Sequence, residues 1–241
     1  GDLNGAVALA VEKVRVGKLS DKQKIYLEKA YNEITQYELS QIEQLKKDGN
    51  PSNAERILNL YQQINIRQQL VKPILPVYIG SEYRNAAIQL INIEDALSDA
   101  KNQTAEYLYT LSEKLLRAGS KTKAREAYQH YKKIASLFTE YKDMRWKMDT
   151  AYQMGITKVL LDFKYDGNQM MPIGIFDKMY QWDIQSMNIG WLQFTTKSDN
   201  TIDKVLLLHL NQTRVGPEQV TEQTMTESRR IQDGYTYAYD S

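Results

Sequence analysis

The strongest constraint on the fold of this chain is a change in hydrophobic periodicity near residue 157. Up to Gly155, apolar residues recur every three or four positions, which is the spacing of a helix that buries one face. From Val159 to Tyr165 they take alternate positions, which is the spacing of a strand. We therefore predict an α+β protein, with a helical-hairpin domain at 1–157 and a strand-rich domain at 158–241.

The first part of the chain is predicted to form helices separated by turn residues. Ser20 and Ser120 are suited to begin helices, because a serine side chain can accept a hydrogen bond from the first helical turn. Gly119 ends a helix, and Lys72 to Pro76 forms a linker, since proline disfavours the helical conformation in the residue before it. The predicted spans are 6–16, 20–48, 52–64, 83–118 with an alternative break near Asn102 or Thr104, 120–141 and 143–155.

The second part is predicted to be a small mixed sheet with one crossover helix. Strands are expected at 159–165 and 191–196, and the helix at 172–188 is long enough to connect them as parallel neighbours. The run 205–210 is apolar almost throughout, so we expect it at the centre of the sheet, covered on both faces. Further strands are expected at 224–231 and 235–239, and the domain is expected to continue past Ser241.

Residues 105–136 resemble one tetratricopeptide repeat, a pair of helices in which small and large residues occupy fixed positions. Antiparallel helical hairpins of other origin produce the same spacing. Ser112, Tyr131 and Ser136 depart from the pattern of the family, which usually has Gly or Ala, Ala and Pro there. The resemblance implies a superhelical stack whose concave face binds peptides or proteins, and it does not imply an enzyme. The matching positions are Leu108, Leu111, Leu115, Gly119, Ala124 and Tyr128.

The chain is also similar to helical lipoproteins and secreted proteins of Gram-negative bacterial envelopes. The similarity consists of a start at Gly1 instead of Met, tyrosine-rich helices and an appended strand region. It implies a periplasmic or envelope-associated protein, and a cytoplasmic location is the alternative. The absence of cysteine agrees weakly with export, because exported proteins often avoid unpaired thiols.

Composition and motifs exclude several classes of function. Zero cysteines rule out disulfides, thiolate catalysis and cysteine-ligated metals. Lys and Arg number 31 against 30 Asp and Glu, so the charge that draws proteins to nucleic acid is missing. His130 and His209 lie far apart in the sequence, phosphate-binding glycine loops are absent, and no apolar run reaches the roughly 20 residues that span a bilayer. We therefore predict no catalytic, cofactor or metal site and no transmembrane segment.

Two features remain as candidates for binding a partner. The stretch from Lys114 to Lys147 holds ten Lys or Arg residues against three acidic ones, and helical spacing places several of these cations away from the apolar stripe. The second feature is a row of tyrosines on one face of the terminal strand, because tyrosine is enriched in binding surfaces. The candidate partner-binding residues are Arg125, Lys132, Lys133, Tyr235, Tyr237 and Tyr239.

These patterns predict a non-catalytic interaction or scaffold protein that binds a protein or peptide partner. The alternative is a carbohydrate or small-ligand binding protein of the cell envelope that uses tyrosine and tryptophan faces. An open concave groove favours the first function, whereas a deep polar pocket with converging carboxylates favours the second or an enzyme.

Overall fold

A computed structural model describes residues 3–165, 167, 174–181 and 183–210. Seven α-helices and five strands follow one another in this part of the chain. The helices are α1 (Leu3–Arg15), α2 (Asp21–Asp48), α3 (Ala54–Val71), α4 (Glu94–Arg117), α5 (Lys121–Leu137), α6 (Met144–Gly155) and α7 (Ile175–Tyr180). The strands are β1 (Tyr78–Ile79), β2 (Arg84–Asn85), β3 (Thr157–Tyr165), β4 (Leu192–Thr195) and β5 (Lys204–Leu210). The change of periodicity at 157 coincides with the passage from α6 to β3, so the α+β prediction is confirmed.

The ends of the long helices follow from single residues. The Ser20 side chain accepts from the Gln23 backbone N–H at 3.4 Å, and the Gln23 side chain accepts from the Ser20 N–H at 3.0 Å, which is a complete capping box at the start of α2. Gly49 ends the same helix with φ at 65°, and Gly119 turns the chain from α4 into α5 with φ at 71°. The predicted caps at Ser20 and Ser120 are confirmed.

Helices α1 to α6 pack consecutively against one another and enclose three apolar clusters. The first joins α1, α2 and α3 around Tyr31, the second joins α2, α3 and α4 around Ile64, and the third joins α4, α5 and α6 around Tyr131, with all three side chains fully buried. Ala124, at the start of α5, is also fully buried, as expected for a small residue between two closely packed helices.

The larger sheet has the order β4-β3-β5, and both pairs are parallel. Along β3, buried residues alternate with more exposed ones, which confirms the predicted strand. The prediction that 205–210 is the central strand is wrong for the described residues, because β3 takes that place. Val205 in β5 is 59% exposed. The apolar run indicated a strand, but it could not indicate which strand has neighbours on both sides.

Several predicted helices have other bounds in the structure: the helix predicted at 120–141 ends at Leu137, and the one predicted at 52–64 continues to Val71. The helix predicted at 83–118 begins only at Glu94 and then runs without a break, and residues 86–93 before it belong to no helix or strand. The helix predicted at 172–188 is interrupted, because Asp183 has φ −71° and ψ 81° and instead caps a 3-10 turn at Ile184–Met187. The described part of the connection between β3 and β4 still contains one α-helix, α7, which is the usual form of a crossover between parallel strands.

The strands predicted at 224–231 and 235–239 lie outside the described residues. Among the helices described, none is both long enough and apolar enough to cross a membrane.

Candidate functional site

A surface groove, which we call the notch, lies between α4 and the turn that joins α2 to α3. The Thr104 hydroxyl donates to the backbone carbonyl of Ala54, the first residue of α3, at 3.0 Å. Because α3 and α4 run in opposite directions, the rest of α4 extends past the start of α3 and leaves the notch beside it. The notch has a volume of about 870 Å³. Its lining residues are Leu45, Lys46, Gly49, Asn50, Pro51, Ser52, Ala54, Ile57, Gln103, Glu106, Tyr107, Thr110, Leu111 and Lys114.

The floor of the notch is apolar and its rim is polar. Ile57 is buried at the floor, while Leu111 and Tyr107 on α4 are half-buried and present part of their side chains to the groove. Thr110 and Lys114, one turn apart on the same helix, are exposed at the rim. An apolar floor within a polar rim is the arrangement found at the centres of protein interfaces.

Among the described residues, Glu106 is the only carboxylate that lines the notch, and a neighbouring lysine balances its negative charge. Glu106 accepts from the Lys142 ammonium at 2.6 Å and from the Tyr141 hydroxyl at 2.8 Å. The Lys142 ammonium, and then the Tyr141 hydroxyl, hold the pKa of this carboxyl below its usual value. Lys114 has no ion-pair partner within the described ranges. The notch therefore carries a positive charge at its rim and offers no free general base.

Polar contacts hold α4, which forms one side of the notch, against α6 and the residue before it. The Tyr109 hydroxyl donates to Asp143, and the Lys147 ammonium binds Glu113 at 2.8 Å. Beneath them, the Tyr131 hydroxyl is buried without a hydrogen-bond partner among the described groups. Burial raises the pKa of this hydroxyl to about 12, so it stays protonated at neutral pH. These groups hold helices together and provide no activated nucleophile.

The structure does not bring the three predicted basic residues together as a free surface. Arg125 turns towards the sheet, where it donates to the Gly155 carbonyl at 2.8 Å and to the Thr157 hydroxyl at 2.7 Å. Lys133 forms an ion pair with Glu55 at 2.5 Å, whereas Lys132 is exposed. Other cations of the stretch are also paired within the chain, namely Arg117, Lys121, Lys123, Lys142 and Lys147. Tyr235, Tyr237 and Tyr239 lie outside the described residues.

Sequence reasoning missed a buried ion pair between α2 and α3. Both guanidinium NH₂ groups of Arg67 donate to the Glu38 carboxylate, at 2.8 and 2.7 Å, and one also donates to the Thr35 hydroxyl at 3.1 Å. Arg67 is only 1% exposed. The signal was present, because Arg67 continues the apolar stripe of α3 after Ile64 and Glu38 stands four residues before the buried Ile42 on α2. Opposite charges that interrupt two apolar stripes indicate a pair.

The described residues contain no group of three or more His, Cys, Asp or Glu that could hold a metal ion. His130 is half-buried on α5, and burial is the main cause that lowers its pKa. His209 lies on β5, in the sheet. The structure thus does not join the two histidines in one site.

No protein family model, curated protein or solved structure matches this chain. The resemblance to tetratricopeptide repeats stays a prediction, and the function has to be argued from the notch itself.

Proposed function

We propose that this protein is a non-catalytic interaction protein that binds a peptide segment of a protein partner in the notch. The observation that carries the proposal is the notch itself, an open groove of about 870 Å³ with an apolar floor and a polar rim. Grooves of this kind accept aliphatic or aromatic anchors from a partner and leave the rest of the partner in contact with the rim.

The chemistry of the notch favours binding over catalysis. A general base needs a group that can take up a proton near neutral pH. Glu106 has a lowered pKa and two hydrogen bonds, so it is held in its charged form. Tyr107 and Leu111 instead offer aromatic and aliphatic surface, and tyrosine is among the residues that contribute most to binding energy at interfaces.

The charge of the rim supports a partner segment with an acidic residue beside its apolar anchors. Lys114 is exposed on α4 at the rim, and Lys46 on α2 also borders the groove, although its ammonium donates to the hydroxyl of Tyr61, outside the lining, at 3.0 Å. Exposed charges at a rim mainly raise the association rate, and salt screens them. We therefore expect affinity for such a segment to fall as salt rises.

Selection from a random-peptide phage library, followed by measurement of the selected peptides by fluorescence anisotropy, tests the proposal. Tyr107→Ala and Lys114→Glu should each weaken these peptides at least about tenfold, which is the loss expected for an anchor or a charge pair worth roughly 1.4 kcal/mol. Matched controls are Tyr37→Ala, at a tyrosine of α2 that is 64% exposed outside the notch, and Lys132→Glu, on α5.

Each outcome of the selection is decisive. Peptides that lose affinity only with the notch variants support the proposal. If no peptide is selected, the protein does not bind peptides in this way. If the control variants weaken binding as much as the notch variants, the notch is not the site.

A further inference from the structure

The chain from β2 to α4 lies at the groove between α2 and α3, where side chains of both helices contact its main chain. We call residues 84–93, which comprise β2 and the residues up to α4, the strap. From Ala86 to Asn92 the strap belongs to no helix or strand. It is therefore held by contacts with the helices, and those contacts show what the groove recognises.

The helices bind the strap through its main chain. Glu28 accepts from the Ala87 N–H at 2.8 Å, and Asn32 donates to the Ala87 carbonyl at 2.8 Å. Tyr31 donates to the carbonyl of Gln89 at 3.3 Å, and the Gln68 side chain accepts from the N–H of Ile91 at 2.6 Å. Four side chains of α2 and α3 thus contact the main chain of residues 87, 89 and 91. Main-chain contacts at alternate residues are the means by which proteins bind extended peptides of varied sequence.

Aliphatic side chains of the strap supply the rest of its attachment. Ile88 packs against the cluster of α1, α2 and α3, and Ile91 and Ile93 pack against the cluster of α2, α3 and α4. Only Ile93, next to α4, is buried. Leu90 is 42% exposed, and Arg84 and Ala87 are exposed as well. A segment that buries so little apolar surface opens at low free-energy cost.

The groove would remain able to bind after the strap has left. With the strap in place, Tyr31 is fully buried and Gln68 is 8% exposed, and both side chains belong to helices that the strap does not form part of. Without the strap, their polar atoms would exchange these partners for water and would be accessible to another main chain. Another extended main chain with aliphatic residues at the same positions would restore these bonds.

We propose that the groove between α2 and α3 is a second peptide-binding site, separate from the notch, and that the strap occupies it as a built-in competitor. The ligand class is an extended peptide with aliphatic residues spaced like Ile88, Ile91 and Ile93. When a site is open for only a fraction of the time, the apparent dissociation constant is the intrinsic one divided by that fraction. A strap that is closed about 99% of the time weakens an external peptide about 100-fold.

The test uses a fluorescent synthetic peptide with the sequence of residues 84–93 and measures its binding to the full chain. In Ala87→Pro the strap lacks the N–H that Glu28 accepts, and in Ile88→Ser/Ile91→Ser it lacks two aliphatic anchors. Neither variant changes a side chain of α2 or α3. We expect both to bind the peptide at least tenfold more tightly than the unmodified chain does. Leu90→Ser, at an exposed position of the strap, is the matched control and should leave the affinity unchanged.

Adding Asn32→Ala to Ala87→Pro should remove the gained affinity, because Asn32 contacts the peptide main chain directly. Circular dichroism checks that each variant keeps its helices, and the single proline variant carries the test if the double serine variant does not fold. Equal affinity of the unmodified chain and the proline variant would overturn the proposal. Tyr107→Ala in the notch should have no effect on this peptide, so failure here is distinguishable from failure of the notch proposal.

Discussion

At the scale of single residues, the buried ion pair of Arg67 and Glu38 joins α3 to α2. Removing a charge from water is costly unless the charge is paired and hydrogen-bonded. Here the guanidinium meets both carboxylate oxygens and the Thr35 hydroxyl, so the cost of burial is offset only while all partners remain. Such a pair contributes little net stability, because the cost of removing both charges from water offsets most of their attraction.

Changing Arg67 to Met should therefore destabilise the protein by about 3–5 kcal/mol, because it leaves the Glu38 carboxylate buried without its partner. The double variant Arg67→Met/Glu38→Leu should recover most of this loss, since neither charge is then buried. Urea denaturation followed by circular dichroism measures both.

Lys29→Met is the control for this prediction. It removes an exposed ion pair with Glu33, at 3.8 Å, and should change stability by less than about 1 kcal/mol. A double variant as unstable as Arg67→Met would show that the carboxylate is not the source of the loss.

The sequence predicted residues whose role is local and missed those whose role depends on a distant partner. Ser20, Gly119 and Ser120 act on the turn next to them, and the structure confirms each one. Arg125 and Lys133 were assigned to a free basic surface, but their partners lie 30 or more positions away in sequence. Charge counting along one helix cannot detect such partners. The notch was not predicted for the same reason, since its two sides come from different helices.

At the scale of elements, the strap shows how tertiary contacts override a helical pattern. Ala87, Leu90 and Ile91 have helical spacing, and the sequence therefore predicted a helix there. The polar side chains of α2 instead bind the main chain of residue 87, which an α-helix would use internally. Tertiary context regularly outweighs so weak a local preference.

The attachment of the strap should depend on pH through Glu28. The bidentate hydrogen bonds from Arg84, and also the N–H of Ala87, lower the pKa of this carboxyl from its ordinary value of 4.5. A carboxyl with a lowered pKa in the folded state stabilises that state above its ordinary pKa. This stabilisation is lost as the pH falls through the lowered pKa.

Hydrogen exchange followed by NMR measures this effect. The protection factor of the Ala87 amide should be constant from pH 7 to about 5 and fall below about pH 4. Amides in the middle of α4 serve as an internal reference. Glu28→Gln should show weaker protection already at pH 7 and little further change with pH, and an unchanged profile in that variant would contradict the role of Glu28.

At the scale of the whole molecule, α5 makes several of the side-chain contacts that join the helices to the sheet. Arg125 binds the backbone at Gly155 and the side chain of Thr157, and its guanidinium carbon lies 5.4 Å from the centre of the Trp191 ring. Lys121 binds the Ile156 carbonyl, and it also binds Asp203 at 2.6 Å. One helix therefore contacts the start of β3, the residue before β4 and the residue before β5.

Trp191 completes this connection from the side of the sheet. Its ring lies 5.2 Å from that of Tyr128 on α5 and 5.3 Å from that of Tyr152 on α6, measured between centroids. Aromatic pairs at this distance add to the energy of burial. We call these contacts of Arg125, Tyr128 and Tyr152 around Trp191 the junction. The junction explains why Arg125 is not free to bind a partner. It also makes the placement of the sheet depend on close packing around one tryptophan.

Gly155 leaves the space that this site needs, so Gly155→Ala should loosen the sheet. A Cβ at this position would lie 2.8 Å from the Trp191 ring and 3.0 Å from Cγ of Arg125, which is too close for either side chain to stay in place. Overpacking of this kind costs about 1–3 kcal/mol.

Compared with the unmodified chain, Gly155→Ala should show faster hydrogen exchange in β3 and β4 but not in α2 and α3. The reason is that the strain acts where the sheet meets α5. Gln153→Ala, at an exposed position of α6, is the control and should leave both regions unchanged. Equal loss of protection in all elements of Gly155→Ala would mean that the helices and the sheet unfold as one unit, and the junction would then not be a separate point of weakness.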